Sequence, residues 1–132
     1  MYTILLIGIG GFIGSILRYI LGGWIQNSFV NFPVGTLAIN TIGSFFLGLI
    51  MYHSEYQGFF SNETRIFLTI GILGAFTTLS TFGYESFRLI DDSKLTLMAI
   101  NVVSTVLFSM LAVYLGKIVA LSISSYLLGG MK

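Results

Sequence analysis

Four long apolar stretches, separated by short polar links, dominate the pattern of hydrophobic and polar positions along the chain. A helix needs about 20 mostly apolar residues to cross the hydrocarbon core of a bilayer. The pattern therefore predicts an all-α membrane protein with four transmembrane helices in one domain, residues 1–132. The predicted spans cover residues 2–21, 34–52, 64–89 and 95–118, and the fourth helix either ends there or continues toward residue 128.

The composition agrees with this prediction and argues against most other classes. Charged residues make up 8% of the chain, whereas soluble globular domains carry about 25%. There is no cysteine and His53 is the single histidine, so no metal-ligand cluster or catalytic triad can be assembled. A net charge of +1 offers no basic patch for nucleic acid. We expect a multi-pass protein of a prokaryotic cell membrane that is not an enzyme.

The third apolar stretch contains an unusual polar run, Gly74–Phe82, in which four hydroxyl side chains fall within five positions. Irregular backbone at membrane depth is tolerated only where protein buries it or where it lines a wet cavity. Broken helices of this kind place carbonyl groups and helix ends against ions. We predict a broken third helix. The alternative is a continuous helix whose hydroxyl groups bond to its own turns.

Small and polar residues at helical spacing mark the other spans. Gly10 and Gly14 lie four residues apart and predict close approach by another helix. Asn40 either makes an interhelical hydrogen bond or faces an ion, because an unpartnered amide inside a membrane is costly. In the fourth span, a polar line is either packing between helices or half of a pore wall; its members are Asn101, Thr105 and Ser109.

The charged residues near the span ends leave orientation and pairing open. Arg18 can snorkel to the interface, and Glu85 can pair with Arg88 three residues later. Basic residues balance three against three between the two membrane sides, with Arg65, Lys117 and Lys132 opposite Arg18, Arg88 and Lys94. Without a positive-inside preference, both orientations can insert, which predicts an antiparallel dual-topology dimer about a twofold axis in the membrane plane.

Three motifs resemble those of one family of small membrane proteins. Residues 14–19 resemble its first-helix ending, Gly-x-x-x-Arg-[Tyr/Trp]. Residues 35–45 resemble its second-helix motif, Gly-Thr-Leu-x-x-Asn-x-x-Gly-[Ser/Ala]-Phe, and residues 71–82 resemble its third-helix signature. By this resemblance the chain is similar to the small fluoride channels, the CrcB or Fluc proteins.

The resemblance implies an antiparallel homodimer in the lipid bilayer, with two pores that export fluoride passively. It also implies a structural sodium ion that is not transported, held by the main-chain carbonyls of Gly74 and Thr77. The family's vestibule arginine and acidic residue correspond to Arg18 and Glu85. Its pore positions correspond here to Asn40, Leu79, Ser80, Thr81, Phe82, Thr105 and Ser109.

One pore position departs from the family pattern, since Leu79 stands where a phenylalanine is usual. An aromatic ring offers an anion its electropositive edge, and leucine does not. Phe76 could occupy some of that space, or the chain could be the non-conducting subunit of a heterodimeric fluoride channel.

The runner-up class is a proton-coupled small multidrug or guanidinium exporter. Such an exporter needs a carboxylate deep in the bundle, usually in the first span, and the first span of this chain has none.

Overall fold

The computed structural model describes residues 1–58 and 60–129, and Lys132 of the charge count lies outside them. Every regular element in these ranges is helical. Four helices of 25, 23, 30 and 32 residues are long and apolar enough to cross a membrane, with mean hydropathies between 1.7 and 2.1. The predicted four-span α-helical fold is therefore confirmed. The elements are α1 Tyr2–Gln26, α2 Val34–Gln57, α3 Asn62–Ile66, a π segment Phe67–Leu73, α4 Gly74–Phe76, α5 Leu79–Asp91 and α6 Leu95–Gly129.

The helices extend beyond the spans predicted from the apolar pattern. Helix α1 continues to Gln26, whereas its predicted span ends at residue 21. Helix α6 runs to Gly129, which agrees with the continuation beyond residue 118 considered from the sequence. At about 1.5 Å per residue, the 35 residues of α6 measure roughly 50 Å, which exceeds the ~30 Å hydrocarbon core. Backbone hydrogen bonding does not stop at the membrane surface, so hydropathy alone underestimates helix length.

The third span is broken, as predicted, but over a shorter stretch than Gly74–Phe82. Only Thr77, with φ −77° and ψ 156°, and Thr78, with φ −151° and ψ 116°, are extended. The helix restarts at once because the Thr78 side chain accepts a hydrogen bond from the N–H of Thr81, which caps the first turn of α5. The alternative of a continuous helix is wrong.

Glycines allow the helices to touch backbone to backbone. A Cβ built on Gly10 would lie 2.8 Å from the Cα of Gly71, and one on Gly14 would overlap the carbonyl of Ile72. The predicted close approach of a helix to Gly10 and Gly14 is confirmed, and its partner is the π segment. A Cβ on Gly48 of α2 would lie 2.5 Å from the carbonyl oxygen of Val113, so α2 and α6 are in equally close contact.

Polar side chains are concentrated among the buried residues, whereas large apolar side chains cover much of the surface. This is the arrangement expected where the surrounding solvent is lipid, because polar groups must then find partners inside the bundle. The buried polar residues of the described ranges are Thr36, Asn40, Thr78, Ser86, Asn101, Thr105 and Ser124. Most of them lie on the helices that surround the break.

Candidate functional site

Asn40 of α2 holds the break in the third span. Its Oδ1 accepts a hydrogen bond of 2.8 Å from the N–H of Thr78, and its Nδ2 donates one of 3.1 Å to the Thr78 carbonyl. The side-chain amide thus pairs with both backbone groups of an extended residue, which lipid could not do. The predicted interhelical hydrogen bond of Asn40 is confirmed. Its second Nδ2 hydrogen is not needed for this pairing, so the ion-facing role stays a prediction.

The break leaves the end of α4 with carbonyl groups that lack their usual helical donors. The N–H of Thr77 still donates to the Leu73 carbonyl over 3.0 Å. The next N–H, that of Thr78, turns away to Asn40 instead of closing on Gly74. The last carbonyls of a helix have no intrahelical partner and carry its partial negative charge. Gly74 and Thr77, the residues predicted to hold a cation, both lie in this end.

The hydroxyl groups after the break form one cluster at the start of α5. The Thr78 Oγ1 lies 3.0 Å from the Thr81 Oγ1 and 3.3 Å from the Ser80 Oγ. It also accepts the N–H of Thr81 over 3.3 Å. Thr81 and Ser80, predicted to contact fluoride, therefore contact the capping residue, and both are exposed at the surface of the single chain.

A groove of about 430 Å³ runs beside the break; we refer to it as the central groove. Two of its lining side chains are largely uncovered: Leu79 is 81% exposed and Met110 is 67% exposed. Consequently the groove lacks a protein wall on that side. Of the sequence-predicted residues, it brings together Asn40, Gly74, Thr77, Leu79, Phe82, Thr105 and Ser109.

The polar line of the fourth span divides into a packing part and a groove part. Asn101, only 1% exposed, donates a 3.0 Å hydrogen bond from Nδ2 to Ser86 Oγ and ties α6 to α5. Thr105 and Ser109, one and two turns further on, line the central groove. The Thr105 hydroxyl is buried and has no hydrogen-bond partner among residues 1–58 and 60–129. Both interpretations of the line thus apply, each to different residues.

A second cavity of about 860 Å³ opens between α1, α2 and α5; we refer to it as the vestibule. Arg18, Thr81 and Glu85 line it, as does Thr78, which also lines the central groove. Residue 78 therefore stands between the two cavities.

Glu85 is held from α2, not by its neighbour on α5. The Thr36 hydroxyl donates a 2.8 Å hydrogen bond to its Oε1. Its Oε2 is buried without a hydrogen-bond partner in the described part of the chain. The pairing of Glu85 with Arg88 considered from the sequence does not form, because Arg88 points to the Tyr84 hydroxyl, 3.4 Å away.

Two residues of these cavities were missed by sequence reasoning. Thr36 lies one turn before Asn40 on α2, and its bond to Glu85 joins positions 49 residues apart. Gln26 lines the vestibule but reads in the sequence as an ordinary linker amide. Neither has a local signal beyond being a polar residue next to an apolar stretch.

The fold and its two cavities define an integral membrane protein that brings polar groups to a broken helix at bilayer depth. Residues 5–117 match the family model described as CrcB-like protein, Camphor Resistance (CrcB). The chain belongs to this family.

Curated relatives support the same assignment. The chain is 87% identical over the full length of both proteins to the fluoride-specific ion channel FluC 3 of Methanosarcina barkeri. It is 73% identical to FluC 1 of Methanosarcina acetivorans, over 98% of each chain. It is 44% identical to FluC of Geotalea daltonii, over 88% of this chain and 94% of the relative. The resemblance seen in the sequence motifs is confirmed.

Proposed function

We propose that this protein is a fluoride-selective ion channel, not an enzyme, and that it lets fluoride leave the cell passively. The family and the names of the relatives support fluoride as the ion. The observation that carries the proposal is the central groove, where polar groups from α2, α6 and the break converge within an apolar bundle.

The groove offers an anion replacements for lost water. A bare anion in an apolar medium is heavily penalised, so it must meet donors along its path. The donors proposed here are the second Nδ2 hydrogen of Asn40 and the hydroxyls of Thr105 and Ser109, with Phe82 adding a ring edge. Several weak sites in series let an ion leave as readily as it arrives.

A second copy of the chain completes each path in this proposal. The exposed side chains of Leu79 and Met110 leave one side of the groove open to whatever packs there. An antiparallel homodimer would cover that side and give two paths. The balanced basic residues support insertion in both orientations. The chain has no cysteine, so a single cysteine can be introduced and labelled from each membrane side to test whether the chain inserts in both orientations. Equal labelling from both sides is expected, and labelling from one side alone would contradict it.

The end of α4 fits a structural sodium ion. The carbonyls of Gly74 and Thr77 belong to a helix end that carries partial negative charge, and Gly74 is exposed at the surface. Hard cations prefer oxygen ligands. A bound sodium ion would neutralise this end and join the breaks of two copies. Replacing sodium by N-methylglucamine should then lower the thermal stability of the dimer, and an unchanged melting temperature would contradict the assignment.

Leu79 favours one second candidate within the same class: a heterodimer, in which the chain conducts only together with a homologous partner. Its side chain lines the groove at the open side, where a partner with an aromatic residue could supply the missing ring. The chain would then be inactive by itself.

Fluoride efflux from liposomes that contain only this purified chain tests the function, with chloride as the control anion. Rapid fluoride loss with little chloride loss is expected. No loss from folded dimers would overturn conduction by the homodimer and favour the heterodimer. If the efflux rate instead changes with an imposed pH gradient, at equal fluoride concentration, the result would indicate the proton-coupled exporter class.

A further inference from the structure

The side chain of Gln26 fastens the link between α1 and α2. Its Nε2 donates hydrogen bonds to the carbonyls of Phe29 and Phe32, at 2.5 and 3.1 Å. Its Oε1 accepts the N–H of Gly35 over 2.9 Å. One amide at the end of α1 therefore contacts two points of the link and the first turn of α2, across nine residues of sequence.

The pattern of partners fixes which way this amide points. A glutamine has two N–H donors on nitrogen and an acceptor oxygen. Both donors of Gln26 face carbonyl oxygens, and its oxygen faces an N–H. The flipped amide would set oxygen against two carbonyls, so only the observed orientation satisfies all three contacts. A carboxylate of the same size could not replace it, because it has no donors.

The corner that Gln26 fastens, where the end of α1 meets the first turn of α2, forms part of the vestibule. Gln26 and Asn27 line this cavity together with Arg18 and Glu85. The two helices meet closely at the same point, since a Cβ on Gly35 would lie 2.5 Å from the Gly22 carbonyl oxygen and 3.0 Å from the Gln26 Cβ. The shape of the vestibule mouth thus depends on this contact.

We propose that Gln26 is a positioning residue for ion access: by fastening the link it holds the corner where Gln26 and Asn27 meet Gly35 of α2, and this corner lines the vestibule that leads to the break. The proposal rests on the proposed channel function. When the bonds of Gln26 are lost, the link moves and the approach of fluoride to the vestibule slows. The path at the break, which Gln26 does not touch, keeps its conductance.

The test compares fluoride flux at low and high fluoride concentration for the full chain in liposomes. Gln26→Leu removes all three hydrogen bonds without adding charge, and Gln26→Glu keeps the shape but removes the donors. Both should lower flux at low fluoride by about threefold or more, and less at high fluoride, as expected when binding is weakened and the later step is spared. Asn27→Asp is the charge control: it adds the same charge in the same cavity and leaves the bonds of Gln26 intact, so any flux that it loses measures the effect of charge alone.

Two flux results would overturn the proposal. One is unchanged flux in Gln26→Leu at low fluoride. The other is an equal reduction at every concentration, which indicates general damage to the bundle. If Asn27→Asp matches Gln26→Glu while Gln26→Leu behaves as wild type, charge alone explains the effect and the positioning role is wrong.

Amide hydrogen exchange of residues 27–35 supplies a readout that does not depend on conduction. The Gly35 N–H and its neighbours should exchange faster in Gln26→Leu than in wild type, and as in wild type in Asn27→Asp. Unchanged exchange in Gln26→Leu would overturn the contact itself. If wild type carries no fluoride while exchange responds as expected, conduction by the homodimer fails and the link contact stands.

Discussion

The two halves of the third span are held to the bundle in different ways. Before the break, the π segment Phe67–Leu73 lies directly on α1, backbone against backbone, where Gly10 and Gly14 leave no room for a side chain. After the break, polar side chains of neighbouring helices hold the chain. The three hydrogen-bonded pairs are Asn40 with Thr78, Thr36 with Glu85, and Asn101 with Ser86.

This difference indicates what each half does. Close packing of small residues is a main source of helix association in lipid. Interhelical hydrogen bonds add less, averaging about 0.6 kcal/mol in a measured membrane protein, and they require polar groups to be kept inside the bundle. The first half therefore stabilises the fold. The second half is held by contacts that stabilise the fold less, and these contacts place the break, and the groups beside it, at bilayer depth.

The largest effect on stability is expected for the half of the third span before the break, which packs on the glycines of α1. Gly14→Ala would place a methyl group against the carbonyl of Ile72, and neither backbone can move without separating α1 from the π segment. Overpacking of this kind destabilises by roughly 1–3 kcal/mol. The free energy of unfolding in detergent measures this loss. Gly11→Ala is the control, because a Cβ there meets nothing within 4 Å; equal losses in both variants would contradict the packing explanation.

A smaller loss of stability is expected for the half of the third span after the break, which hydrogen bonds hold to the bundle. Ser86→Ala leaves the buried Asn101 Nδ2 without its partner, which should lower the free energy of unfolding by about 1 kcal/mol. Ser122→Ala, whose hydroxyl bonds only to its own helix and is exposed, should change it little. The same unfolding measurement applies. A loss as large as that of Gly14→Ala would remove the distinction between the two halves.

The smallest stability effect is expected for Leu79→Phe. The side chain is 81% exposed in the single chain, so its identity matters little to the fold of one subunit. Any effect should appear in fluoride flux, because the ring would restore an electropositive edge at the groove. Parallel unfolding and efflux measurements separate the two. Lower stability with unchanged flux would show that position 79 acts in packing and not in the ion path.

The run of hydroxyl residues at membrane depth predicted the break, whereas hydropathy and helical spacing predicted the number of spans and the glycine contact of α1. They predicted Thr105 and Ser109 on one face, and both line the groove. They could not fix the extent of the break, since any of four hydroxyls could have capped the next helix and only Thr78 does.

Hydrogen-bond partners that are distant in sequence could not be predicted, for a different reason. Gln26 reaches Gly35 across a link, and Glu85 reaches Thr36 on another helix. A sequence pattern gives the face on which a residue lies but not which residue of a neighbouring helix lies opposite. For Asn40 the pattern left a structural and an ion-facing role open. The structure supplies the partner, Thr78, and leaves the ion-facing role to experiment.

Fluoride efflux from liposomes with Asn40→Asp tests most directly whether the break and the ion path are one site. The carboxylate would face the Thr78 carbonyl, which now accepts from Nδ2, and would put negative charge in the groove. Thr41→Val, which alters only a bond to the Leu37 carbonyl in the same helix, should keep wild-type flux. We expect folded Asn40→Asp protein to carry no fluoride. Wild-type flux in that variant would remove Asn40 from the path.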